Sequence, residues 1–168
     1  MKVVNRYMPE KANREHLNRE RCNTAGSIYK VDLSCNRVST YSLEHAKPED
    51  YRFGNVFAFK SEAERALGEI PKLYAMFSKE SAEKNNSVIS GKAAYFILDN
   101  GNIAEIKRED MPEINRAHGN TGANLWTFEQ YIKIWLDAGN CFGSLFQAST
   151  ARDRIADIFE NIKRHTNP

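Results

Sequence analysis

Two stretches far apart in the chain share one local grammar, a short apolar run followed by a capped amphipathic helix. That recurrence limits the available folds more than any other feature. The first is Phe53-Gly54-Asn55-Val56-Phe57-Ala58-Phe59, read as a strand, with Ser61 as helix N-cap and Glu62 and Glu64 in the first turn. Carboxylates there favour the positive end of the helix dipole. Ala63, Ala66, Leu67, Ile70, Leu73, Tyr74 and Phe77 follow at spacings of three and four, a face that must cover a sheet. Pro71 falls inside this helix and predicts either a kink or a break into two. The second stretch is residues 141–146, again read as a strand, then a helix over 150–165 capped by Thr150, with Ile155, Ile158, Phe159 and Ile162 inward. Placing Gly54 on Gly143, an offset of 89 residues, carries Val56 to Leu145, Phe57 to Phe146 and Ser61 to Thr150.

A hairpin precedes each unit. Residues 27–33 alternate Ile28, Val31 and Leu33 with polar neighbours, Ser34-Cys35-Asn36 turns, and residues 37–43 resume with Val38 and Tyr41. Residues 93–98 and 103–107 flank Asp99-Asn100-Gly101-Asn102, a strong turn signal. The fold class expected is therefore α+β: an antiparallel sheet of hairpins with helices packed on one face. Strand-helix grammar alone also produces such matches, so an internal two-fold hairpin-strand-helix repeat stays open beside chance. At 168 residues one domain is expected, residues 27–168. Unit one covers 27–85 and unit two 93–168, joined by a polar loop over 83–92. A helical insert over 121–139 is capped by Thr127 and stopped at Gly139. Residues 1–26 form a polar, basic arm, either mobile or a short exposed helix over 11–21.

The run Tyr51-Arg52-Phe53-Gly54-Asn55-Val56-Phe57, followed by Lys60-Ser61-Glu62-Ala63-Glu64-Arg65-Ala66-Leu67, resembles a motif of small phage and prophage accessory proteins. In these a G-N-x-F strand precedes a K-(S/T)-x-E-E-A-E-x-A helix, and a second strand-helix unit closes the chain. The likeness spans residues 28–162 and departs at the aromatic insert. It implies origin in a mobile element and carries no catalytic residue with it.

Charge and cysteine usage narrow the function classes. Lys and Arg number 24 against 22 Asp and Glu, a net +2, so no overall field demands a nucleic-acid or membrane partner. Cys22, Cys35 and Cys141 are odd in number and widely spaced, which reads as free thiols in a bacterial host cytosol. No signal-like or membrane-spanning apolar run is present. His16, His45, His118 and His165 are scattered, so neither a metal nor another cofactor is expected. Gly119-Asn120-Thr121-Gly122-Ala123-Asn124 lacks the Lys-Ser/Thr pair of a P-loop and reads as a surface loop. Cys141 with His118 as nucleophile and base has no local support; a small buried thiol is the ordinary reading.

What remains are two candidate surfaces. Lys11, Arg14, Arg19 and Arg21 on the arm, with Tyr131 and Trp135 on the insert, are the residues expected to bind a partner. Arg152, Lys163 and Arg164 give the last helix a basic side suited to nucleic acid, interleaved with Asp153, Asp157 and Glu160. The expectation is a non-enzymatic phage or mobile-element protein that binds a host protein or ribonucleoprotein complex. Its most concrete form is an inhibitor of a bacterial defence system such as an anti-CRISPR protein. The alternative is a small nucleic-acid-binding module using the arm and the last helix.

Overall fold

Each hairpin forms where turn residues separate two β-prone runs. The computed structural model describes residues 1–8, 14–79 and 91–165, and it is an α+β fold. Strands β1 (Lys2–Asn5), β2 (Ser27–Asp32) and β3 (Arg37–Ser42) accompany helices α1 (Arg14–Cys22), α2 (Pro48–Phe53) and α3 (Lys60–Lys79). Strands β4 (Ala93–Ile97) and β5 (Ile103–Lys107) precede helices α4 (Met111–Ala117), α5 (Phe128–Ala138) and α6 (Leu145–Arg164). All pairings between these strands are antiparallel, but they make two sheets, β1-β5-β4 and β2-β3, where a single one was expected.

Two asparagines join these sheets. Asn55 Oδ1 accepts from the Val31 amide at 2.8 Å, while its Nδ2 donates to the Val31 and Asp99 carbonyls at 2.7 and 3.0 Å. Asn140 repeats the pattern: its Oδ1 accepts from the Ile97 amide at 3.0 Å, and its Nδ2 donates to the Ile97 and Leu33 carbonyls at 2.8 and 3.1 Å. Each amide thus closes the strand end of its own hairpin and reaches across to the other hairpin, supplying buried peptide groups with partners. Both side chains are fully buried.

Helices cover both faces of the hairpins rather than one. α3 and α6 run antiparallel, with Arg154 of α6 over the Phe77 ring near the end of α3. They enclose the main core with Val31, Leu33, Phe53, Phe57, Ile97, Ile103 and Phe142. The alternate residues Ala94, Phe96 and Ile106 face the other way, against Met111, Ile114, Phe128 and Ile132 of α4 and α5. Ile28 likewise packs on Cys22, Tyr51 and Val56 on the side of α1 and α2. The strand period of two supplies both faces at once.

The expected third strands shrink to single bridges. Tyr29 and Phe57 exchange bonds of 3.0 and 2.9 Å, and Tyr95 and Phe142 exchange two of 3.0 Å. Phe53 instead ends α2, and Gly54 closes that helix in the left-handed region at φ 87°. Around residues 141–146 the helix wins: the Ser144 hydroxyl accepts from the Gln147 amide, so α6 starts at Leu145 and Thr150 lies inside it. The 89-residue register fails with it, since Phe57 is fully buried and Phe146 is 79% exposed. The correspondences present lie 85 residues apart, where Gly54 and Gly139 both end a helix at positive φ and Asn55 and Asn140 follow them. Thr127 and Gly139 bound α5 as the sequence indicates. Pro71 lies within the single helix α3.

Residues 1–8 and 14–26 are not a solvated arm. β1 pairs with β5, and the Tyr7 amide donates to Asn102 Oδ1 at 3.0 Å. α1 carries Glu15 in its first turn and Arg19 and Arg21 in its last, the arrangement its dipole favours. Asn18 and Cys22 point inward. Residues 83–90 of the expected loop lie outside the described residues.

Candidate functional site

α1 is laid across the end of α6, and this brings the two basic sets together. Arg14 donates from one terminal nitrogen to Tyr7 Oη at 2.7 Å and from the other to Glu160. Arg21 donates to the Lys163 carbonyl at 2.6 Å and to Glu62 at 2.6 Å. Arg164 shares Glu160 with Arg14. Between the two helices lies a cavity of about 330 Å³ walled by Arg14, Leu17, Arg21, Ala156, Lys163 and Arg164 among others.

Lys163 is the least ordinary group there. Its residue is 6% exposed, yet it holds its ammonium among peptide and amide groups, donating to Asn18 Oδ1 at 2.8 Å and to the Gly54 carbonyl at 2.5 Å. The Phe57 ring lies 4.8 Å from Nζ. No carboxylate among the described residues pairs with it, and burial pushes its pKa down to about 7. The folded chain therefore releases this proton before the unfolded chain does. Stability from this source rises with pH above about 7 and is lost as pH falls toward it. Between pH 7 and 8, below the ordinary thiol pKa, wild-type unfolding free energy should rise by about 1 kcal/mol more than that of Lys163→Met. Parallel denaturation curves across that range would refute it.

The remaining candidates are dispersed. Lys11 lies outside the described residues. Arg19 pairs with Glu15 at 3.0 Å and lies 4.8 Å from the Tyr51 ring, while Glu15 also accepts from Arg52 at 2.7 Å. Arg152 is not a nucleic-acid contact: it is buried, donating to Asn5, Ser149 and Asp153 at 3.0 Å each, with the Tyr7 ring 5.2 Å away. Helical spacing carried the signal for both inward cations. Arg152 and Lys163 stand four residues after Ala148 and Phe159, on the stripe those residues bury.

Tyr131 and Trp135 are half-buried and serve first as the rim of the second core, where Trp135 lies 4.6 Å from Phe96. They also continue a row of rings at the surface. Trp126 lies 5.7 Å from Tyr131 and 5.2 Å from His118, and Tyr131 lies 5.9 Å from Trp135. Asn115 fixes the loop that carries Trp126: its Nδ2 donates to the Trp126 carbonyl at 3.0 Å and its Oδ1 accepts from the Trp126 amide at 2.9 Å. Leu125 is 52% exposed, Trp126 40% and Ile134 51%, so the outward apolar residues are these rather than the two expected. Residues 119–124 lie at the surface beside them.

Cys141 and His118 do not form a nucleophile–base couple. Cys141 packs at the edge of the second core, where burial pushes its thiol up to about 12, and His118 lies against Trp126 with the rings tilted by 50°. Cys22, Cys35 and Cys141 are free thiols. Among the described residues no cluster of three or more His, Cys, Asp or Glu side chains is placed to hold a metal ion, and no helix is long and apolar enough to cross a membrane. Comparisons with protein-family models, curated proteins and solved structures return no match for this chain.

Proposed function

We propose that this chain is a phage or mobile-element protein that binds a host protein or ribonucleoprotein complex, most concretely as an inhibitor of a bacterial defence system. The observation that carries the reading is the outward surface of Leu125, Trp126 and Ile134, backed by Tyr131 and Trp135. Trp and Tyr held in fixed positions are the side chains that dominate binding energy at protein interfaces, because they bury large areas at low entropic cost. Arg108 with Glu129 and Lys133 with Asp137 supply charged pairs around α5, as a polar rim does. The phage-like motif at residues 51–67 supports the mobile-element origin.

The test is phage plating on defence-positive hosts expressing the wild type or the Trp126→Ala/Ile134→Glu double variant. Wild type should restore plating at least tenfold, and the folded double variant should lose most of that effect, since hot-spot residues cost about 2 kcal/mol or more each. Unchanged plating with wild type, together with no binding to any purified defence complex, would end this reading. The nucleic-acid alternative draws on Arg14, Arg21 and Arg164 around the cavity. It would take over if the protein bound mixed-sequence DNA or RNA with an affinity falling steeply as salt rises.

A further inference from the structure

The cavity between α1 and α6 contains an unmet demand. Lys163 has three N–H donors and uses two, on Asn18 and Gly54, with no counter-charge in pairing range among the described residues. Arg14 lines the same wall with both terminal nitrogens of its guanidinium engaged, on Tyr7 and Glu160. Buried cations without a partner are costly, and buried N–H groups without acceptors are rare. The side chains lining the cavity include four cations, Arg14, Arg21, Lys163 and Arg164, and two carboxylates, Glu20 and Glu160. Glu160 is already taken by Arg14 and Arg164.

We infer that this cavity is a binding site for a phosphate group, whose oxygens accept from Lys163 Nζ among the cations of the wall and whose charge balances the buried ammonium. Several separate cations from two helices suit a tetrahedral anion with oxygens on more than two sides. At about 330 Å³ the cavity has room beyond a bare ion, and Leu17 and Ala156 give it apolar wall for an organic body attached to the phosphate. The site is independent of the surface on α5, so either can fail without the other.

The ammonium couples binding to protons. Facing it are Arg14, Arg21 and the Cys22 thiol of α1, the Gly54 carbonyl at the end of α2 and Glu62 of α3, with Glu160 and Arg164 on its own helix. Glu62 is fully buried and committed to Arg21. Lys163, lowered to about 7 by burial, is thus the group whose charge changes near neutrality, and an anion bound against it draws a proton in.

Calorimetric titration of the full chain with inorganic phosphate, adenosine monophosphate and acetate tests the site. Phosphate or the monophosphate should bind while acetate does not; the tighter of the two tells whether the free ion or its organic ester is the better occupant. Lys163→Met should weaken binding at least tenfold. Arg164→Gln, which removes an exposed cation of the wall and leaves the core untouched, should weaken it several-fold and guards against a misfolded Lys163 variant. Sulfate, which does not titrate near neutrality, should bind the wild type roughly tenfold more weakly at pH 8.5 than at pH 6.5, in line with loss of the ammonium. No binding of either phosphate probe, equal binding of acetate, or phosphate binding unchanged in both variants would overturn the assignment.

Discussion

Replacing Asn140 by alanine is expected to destabilise the chain by about 3–5 kcal/mol, and Asn55→Ala by a similar amount. Each substitution removes three hydrogen bonds at a fully buried position and leaves one peptide N–H and two carbonyls without partners. Orphaned buried groups cost about 1–3 kcal/mol each, and entry of water recovers part of that. The loss falls on the join between hairpins, because the Leu33 and Asp99 carbonyls belong to the opposite unit from the asparagine that serves them. Chemical denaturation of each single variant measures it. A loss below 1 kcal/mol in both would mean the amides are not what holds the two sheets together. Asn140→Asp is expected to be no better at neutral pH, since its carboxylate would face the Leu33 and Ile97 carbonyls without a donor of its own.

Gly101→Ala should cost about 2–4 kcal/mol, combining the penalty for a left-handed alanine with overpacking of the core. Gly101 sits at φ 80° in the turn of the second hairpin, where its amide donates to the Leu98 carbonyl at 2.8 Å. An added Cβ would lie 2.6 Å from the Phe53 ring. That ring cannot step aside, because Tyr7 and Phe159 pack edge-on against it at 5.2 and 5.3 Å. Gly26→Ala, at a non-positive φ with open space around the new methyl, is the control expected to change stability little. Equal midpoints for the two alanine variants in thermal unfolding would contradict the packing described for this turn.

The hairpins and the bounds of α5 were legible because local chemistry decides them. Alternating apolar residues, the Asn-Gly turn, the Thr127 cap and the Gly139 stop act within a few residues of themselves. The start of α6 was misjudged by five residues because two capping hydroxyls compete, Ser144 and Thr150. The earlier one wins when residues 145–149 can extend the helix, with Ala148 buried against the core. Of the candidate site, the residue types were visible and their company was not. Arg14 and Arg21 stand more than a hundred residues from Glu160 and Lys163.

The sequence by itself determined an α+β chain of two hairpins and amphipathic helices, since period and turn chemistry are properties of neighbours along the chain. Only the tertiary structure decided that Asn55 and Asn140, beside the apolar core the two halves share, bond one hairpin to the other. Only it moved Arg152 and Lys163 from an outer basic face to the interior. A side chain's partner across the fold depends on how helices cross, and nothing in a local spacing encodes that. So the basic residues of α1 and α6, read in the sequence as two surfaces, meet around one cavity because α1 lies across the end of α6.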